Sequence, residues 1–227
     1  STYAGRDHPD RHETERRFRD KVAETVERGG QAIVPAFAVG RAQEVLMTLA
    51  SSGFETWLDG MARSVNSIYR SAPEYLADPK RFRRALDGVH VVESPPERRQ
   101  ALRNAEVIVT TGGMLDGGPV LFYLGERYKD ANSSILLTGF QVDGSNGRQL
   151  LDKGTLTIDE VTIRPECEVL KFDFSAHAGH AQLMDLIRKT EARQVVLMHG
   201  DQREKLAESI SHETKVVLPE NGRAFTV

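Results

Sequence analysis

Short aliphatic and β-branched runs alternate with stretches of helical spacing, and that alternation restricts the chain to an α/β fold with a mostly parallel sheet flanked by helices. Ala32-Ile33-Val34, Thr56-Trp57-Leu58, Val89 to Val92, Val107 to Thr110 and Ile135 to Thr138 read as strands. Phe18, Val22 and Val26 fall at helical spacing before them. Ala42, Val45, Leu46 and Leu49 make the inner stripe of a second helix, and Met61, Val65, Ile68 and Tyr69 suggest a third. Gly29-Gly30 stops the first helix, and Pro73, Pro79 and Pro95-Pro96 punctuate the middle, where a basic helix surrounds Lys80 to Arg84. The last third changes character. Leu156 to Ile158, Val161 to Ile163 and Val169 to Phe172 are closely spaced strands. A helix follows from about Gln182, then a strand at Val195 to Met198, a helix after Asp201 and a strand at Val216 to Leu218.

The 227 residues suffice for one large domain or two small ones. No apolar run approaches the roughly 20 residues that span a bilayer, so no membrane role is expected. Cys167 is the single cysteine, which excludes an internal disulfide and fits a reducing, cytoplasmic setting. Net charge is −3, which excludes a uniformly basic nucleic-acid coat but not a local basic groove. The chain opens at Ser1-Thr2-Tyr3 without Met, as a processed protein or a piece of a longer one would.

Two of the seven histidines stand apart. His199 ends the apolar run Val195-Val196-Leu197-Met198, which would place its imidazole at a sheet's carboxyl edge, where open α/β sheets bind ligands. His177 follows Phe172-Asp173-Phe174-Ser175-Ala176, in a turn of small residues that lets a substrate backbone approach. Both could equally be strand-capping residues, and the residues alone leave the two readings open. Glycine-rich turns follow other strands: Gly112-Gly113 after one, Gly144 and Gly147 after another. With Arg41 and Arg148 beside such turns, a polyanion lying across the sheet edge is suggested. None of these turns is a GxxxxGK[ST] or GxGxxG fingerprint, and tight-turn geometry explains each one as well. The acids of Asp7-His8-Pro9-Asp10-Arg11-His12 fit a helix N-cap better than a metal site, and no HxHxDH occurs.

Together these strings resemble the β-CASP branch of the metallo-β-lactamase superfamily, the archaeal cleavage and polyadenylation specificity factor type most closely, with ribonuclease J in the same branch. The carrying segments, in order, are Ser1-Thr2-Tyr3, Gly5-Arg6-Asp7-His8-Pro9, Pro35-Ala36-Phe37-Ala38-Val39-Gly40-Arg41, Asp59-Gly60-Met61-Ala62, Thr110-Thr111-Gly112-Gly113-Met114, Gly117-Gly118-Pro119, Leu137-Thr138-Gly139-Phe140-Gln141, Phe174-Ser175-Ala176-His177 and Met198-His199-Gly200-Asp201. The resemblance implies a β-CASP domain over residues 10–172, flanked by a remnant (1–9) and the C-terminal segment (173–227) of a metallo-β-lactamase αββα domain. It implies that His177 assists the leaving group and that His199 is a terminal ligand of one of two zinc ions. It also implies that the remaining ligands, HxHxDH among them, lie upstream, so that these residues alone are inactive and bind zinc poorly. Single-stranded RNA would lie between the two domains, gripped by Arg41, Arg148, Ser175 and the glycines 112, 113, 144 and 147. Family members often dimerise, which makes a homodimer an expected assembly.

Two other readings stand beside this one. A non-catalytic paralogue could bind RNA or scaffold a processing complex. A small-molecule hydrolase of the wider superfamily is disfavoured by the long insert before Phe174.

Overall fold

The computed structural model describes residues 2–200 and 202–225, so Ser1 and Asp201, two members of the carrying segments, lie outside the described residues. The chain divides into two compact units, Arg11–Phe174 and the pair of segments Ser1–Asp10 and Ser175–Val227.

In the larger unit the strands are β1 (Ala32–Ala36), β2 (Thr56–Asp59), β3 (Val89–Val92), β4 (Val107–Thr111), β5 (Ser134–Leu137), a hairpin of β6 (Leu156–Ile158) with β7 (Val161–Ile163), and β8 (Glu168–Lys171). Six of them form one sheet in the order β3-β2-β4-β1-β5-β8, with every pairing parallel. Its helices are α1 (Arg11–Glu27), α2 (Arg41–Leu49), α3 (Ala62–Ser71), α4 (Pro79–Asp87), α5 (Pro95–Asn104), α6 (Val120–Arg127) and α7 (Asn146–Lys153).

Side chains alternate between the two faces of a strand, and here both faces are buried. Val34, Leu58, Val109 and Leu136 join one apolar cluster with Phe18, Val45, Leu46 and Phe82 of α1, α2 and α4. Ile33, Trp57, Ile108 and Ile135 join the other with Leu102, Tyr123, Leu124 and Leu150 of α5, α6 and α7. That is why the central strands read as unbroken apolar runs. Each fully buried Leu, Ile or Phe contributes about 1.5–3 kcal/mol relative to exposure.

The third expected helix is present as α3, and two details of the middle emerge only in the fold. Met61 and Ile68 are exposed, at 68% and 62%, and the inner stripe of α3 is instead Ala62, Val65, Asn66 and Tyr69. Asn66 turns inward because its Oδ1 accepts a 2.7 Å hydrogen bond from the buried Gln43 side chain. Pro95-Pro96 does not merely punctuate: it opens α5, with the Glu97 carboxylate accepting from the Ser94 N–H in a capping box. Proline suits a first turn, whose N–H groups lack helical acceptors anyway.

The smaller unit holds α8 (His180–Thr190), β9 (Gln194–Val196), α9 (Arg203–Ile210) and β10 (Lys215–Val217), with β9 and β10 parallel. Met184, Leu197, Leu206 and Ile210 form its core with Ala4. Asp7 is a helix cap, though not of the helix that follows it. α1 begins at Arg11, while the Asp7 carboxylate accepts a 2.9 Å bond from the Ala181 N–H at the start of α8. The cap thereby ties the first ten residues to this unit, a link that local sequence does not reveal.

Candidate functional site

In the smaller unit, β9 stops at Val196, two residues before its expected end, and the chain turns outward. Met198 is exposed and His199 takes φ 58°, a left-handed conformation unusual for a residue with a side chain. The turn throws the imidazole clear of the strand. Its Nδ1 lies 3.2 Å from the Thr2 hydroxyl, which also lies 3.3 Å from the His199 carbonyl. His177 sits in the turn before α8, where its N–H donates to the Ser175 hydroxyl at 3.2 Å. Its carbonyl is 2.6 Å from Nε2 of His8. The His177 and His199 rings lie nearly parallel, 6.3 Å apart at 21°. Tyr3 stands against His8 at 4.0 Å and 6.4 Å from His177, and the Arg6 guanidinium lies 4.3 Å over the Tyr3 ring.

Thus residues 177 and 199, singled out from sequence, are brought together, and Thr2, Tyr3 and His8 join them. The signal for these three was present in the opening segments but carried no stated role. His180 is the neighbour most easily mistaken for part of the group. Its Nδ1 accepts from the Gly5 N–H at 3.0 Å and its ring faces Ser209, so it is a packing residue.

A zinc ion can be tested against this donor set. His199 suits a ligand, since an imidazole whose Nδ1 is held by a hydrogen bond is oriented for a metal at Nε2. Among the described residues, however, no three His, Cys, Asp or Glu side chains gather as a metal site would require. The set fits one ligand of a site and not a closed site.

The larger unit collects its glycine-rich turns at the carboxyl ends of the strands. Gly112 (φ 112°) closes against the Gly117 carbonyl, where a Cβ would come within 2.3 Å. Gly113 packs on the Phe37 backbone. Gly147 lies against the Gln141 side chain, where a Cβ would come within 1.7 Å of Oε1. The amides at the start of α7 are engaged internally: Asn146 N–H on the Asp116 carboxylate, Gly147 N–H on the Met114 carbonyl and Arg148 N–H on the Ser145 hydroxyl. Gly144 (φ 85°) is an exposed turn residue. The two arginines are paired. Arg41 meets Glu44, which Arg11 also meets, and Arg148 meets Asp152 at 2.7 Å and Asp143 at 3.8 Å. Close packing therefore accounts for Gly112, Gly113 and Gly147, and a phosphate here would have to compete with carboxylates for Arg41 and Arg148.

A group that sequence reasoning did not single out lies at the end of β2. Asp59, 2% exposed, accepts from Arg98 through both carboxylate oxygens, at 2.5 and 3.1 Å, and from the Tyr123 phenol at 2.8 Å. Burial, then the charge of Asp59, pushes the Tyr123 phenol far above its ordinary value. The phenol is thereby held as a donor to Asp59, and the triad fixes the Asp59-Gly60 turn.

Residues 42–150 match the Beta-Casp domain, and residues 162–219 match the Zn-dependent metallo-hydrolase RNA specificity domain. The probable RNase MJ4 of Methanocaldococcus jannaschii is 38% identical over 208 residues, covering 89% of this chain and 49% of that protein. The RNase aCSPSF2 of Saccharolobus solfataricus is 36% identical over 234 residues, covering 100% of this chain and 47% of that protein. The transcription termination factor FttA of Methanosarcina mazei is 31% identical, covering 90% of this chain and 36% of that protein. The chain belongs to the β-CASP family of metallo-β-lactamase nucleases, an RNA-processing family. It spans about half the length of the first two relatives and about a third of the last. No helix among the described residues is long and apolar enough to cross a membrane.

Proposed function

We propose that this chain is the β-CASP-containing part of a zinc-dependent ribonuclease that hydrolyses phosphodiester bonds in single-stranded RNA. The observation that carries the reading is the adjacency of the His177 and His199 rings, 6.3 Å apart, in a chain of this family. His199, oriented by Thr2, is one terminal zinc ligand. His177 donates a proton to the departing ribose oxygen, a role that suits an imidazole near neutral pH. Ser175 shapes the turn that presents it. Zinc, when bound with further ligands that the described residues do not provide, supplies a hydroxide near neutral pH and offsets charge on the phosphorus oxygens. Arg41, Arg148, Gly112, Gly113 and Gly144 bind backbone phosphate at the sheet edge of the larger unit, with Gly147 packing beneath them. The 227-residue chain by itself binds zinc weakly and does not cleave, because one imidazole gives little affinity compared with three or four ligands.

The test pairs two preparations. The 227-residue chain and a longer protein that contains it are each given 5′-labelled single-stranded RNA and assayed for zinc by mass spectrometry. The reading expects cleavage only by the longer protein. There, His177→Ala should abolish cleavage with zinc retained, and His199→Ala should lower zinc content as well. RNA binding without cleavage by the longer protein would replace the ribonuclease with a non-catalytic RNA-binding paralogue. Tight stoichiometric zinc in the 227-residue chain would overturn the weak-binding statement.

A further inference from the structure

Several arginines are neutralised locally by carboxylates. Arg28 meets Glu24 and Glu168, Arg98 meets Asp59, and Arg188 meets Glu213. A cleft of about 400 Å³ over the C-terminal half of α2 is different. Arg19 of α1 lines one wall, and Arg81 and Arg84 of α4 line the other, with Met47, Thr48 and Ser51 between them. Arg81 and Arg84 are three residues apart and so share one face of their helix. No carboxylate lines the cleft. Among the described residues, none of the three guanidiniums makes an ion pair or a hydrogen bond; the Asp78 cap is bonded to the Arg81 backbone N–H, not to its side chain. They are therefore not held in place by the carbonyls that end α2. Three uncompensated cations in one cleft of a chain with net charge −3 form a local site for anions.

We infer that this cleft is an auxiliary binding site for the phosphodiester backbone of RNA. The inference rests on the proposed ribonuclease reading for its ligand, and it adds a site remote from the sheet edge. The cleft lies where α2 runs out towards the start of β2, at the amino end of the parallel strands, whereas the glycine-rich turns lie at their carboxyl ends. Its chemistry selects backbone over bases. It offers charge and hydroxyls, and no aromatic ring on which a base could stack. Cations from two helices on either side of α2 suit a run of phosphates better than a single one. Such a site would hold a length of RNA without regard to sequence.

The full chain is titrated with fluorescent oligouridylate of about 30 nucleotides across a salt series. Three variants are compared: the triple Arg19→Gln/Arg81→Gln/Arg84→Gln, the corresponding triple to Lys, and Arg148→Gln. Single strands release about 0.7 counterion per phosphate neutralised, so losing three contacts should flatten the salt slope by about 2. Affinity at low salt should fall on the order of ten-fold with Gln and be largely restored with Lys. Thermal midpoints check folding, and the single variants Arg81→Gln and Arg84→Gln, at exposed positions, serve if the triple unfolds. A wild-type slope in the Gln triple, with weakened binding in Arg148→Gln, would overturn the auxiliary site and leave the ribonuclease reading standing. Absence of RNA binding by the unsubstituted chain would overturn the auxiliary site, whereas the ribonuclease reading stands or falls on cleavage by the longer protein. If polyglutamate were displaced by the same substitutions and RNA were not, the cleft would be a site for an acidic protein and the inference would fail.

Discussion

Nε2 of His8 lies 2.6 Å from the backbone carbonyl of His177, across 169 positions of sequence. The bond fixes the turn that carries the proposed proton donor from behind, and the Tyr3 ring packed on His8 at 4.0 Å fixes His8 in turn. His8→Phe keeps a ring against Tyr3 and deletes the hydrogen bond to the His177 carbonyl. It should cost about 1 kcal/mol in urea unfolding of the chain. In the longer nuclease it should lower kcat by about 10- to 100-fold with RNA affinity unchanged, as expected when a reacting group is displaced by about 1 Å. Equal kcat for His8→Phe and wild type would show that the bond does not position His177.

The Asp59–Arg98–Tyr123 group should rank among the larger single contributors to the stability of the larger unit. Removing the carboxylate by Asp59→Ala leaves Arg98 and Tyr123 without their shared acceptor. The expected loss is about 3 kcal/mol, the scale for breaking a largely buried ion pair from one side, less whatever solvent screens at Arg98, whose side chain is 30% exposed. Tyr123→Phe removes one bond to a charged acceptor and should cost about 1.5 kcal/mol. Urea titrations of the two variants should keep that order. If Tyr123→Phe proved the more damaging, packing rather than the carboxylate would be the stabilising element.

The layering of the larger unit was legible from sequence because its strands are buried on both faces and its helices carry one apolar stripe. Ile33 and Val34 point into opposite clusters, so neither could be polar. Ambiguity arose where an apolar residue had no partner to meet. Met61 and Ile68 have the right spacing for a stripe, yet they flank the stripe that Val65 and Tyr69 occupy. Local rules also could not say which helix Asp7 caps, because the Ala181 N–H it accepts from is 174 positions away. The histidine pair shows the same limit. An apolar run ending in His-Gly marks His199, but nothing local indicates that Thr2 reaches its Nδ1. At the sheet edge the glycines were legible as turns, and their tight packing against Phe37, Val120 and Gln141 emerged only in three dimensions.

Glu168 sets an acid limit on stability. Burial opposes its charge, but hydrogen bonds from Lys21 and Arg28 and their positive charge prevail and hold the carboxyl below its ordinary value. A carboxylate depressed in the folded state stabilises fully above its unfolded value, near pH 4.3, and loses that contribution as pH falls through the folded value. Wild type should therefore lose stability on going from about pH 5 to pH 3, and Glu168→Gln should lose less across the same window. The side chain is about a third exposed, so the effect is modest. Parallel stability–pH curves for the two proteins would show that the Lys21 and Arg28 contacts do not act on the carboxylate.

Cys167 is buried in the same cluster as Ile33, Val120 and Leu150, and burial pushes its thiol up to about 11. Only the thiolate attacks disulfide reagents, so at pH 8 about one molecule in a thousand would carry the reactive form even with full access. With 5% of the residue exposed, access is restricted as well. A chromogenic disulfide should therefore label the native chain slowly, at a rate that rises with urea as the core opens, and label the unfolded chain at once. Cys167→Ser would place a hydroxyl in that cluster and should destabilise by about 1–3 kcal/mol. Rapid stoichiometric labelling in buffer would mean that the second core opens locally far more often than its packing implies, and the stability assigned to Ile33, Tyr123 and their neighbours would have to be lowered accordingly.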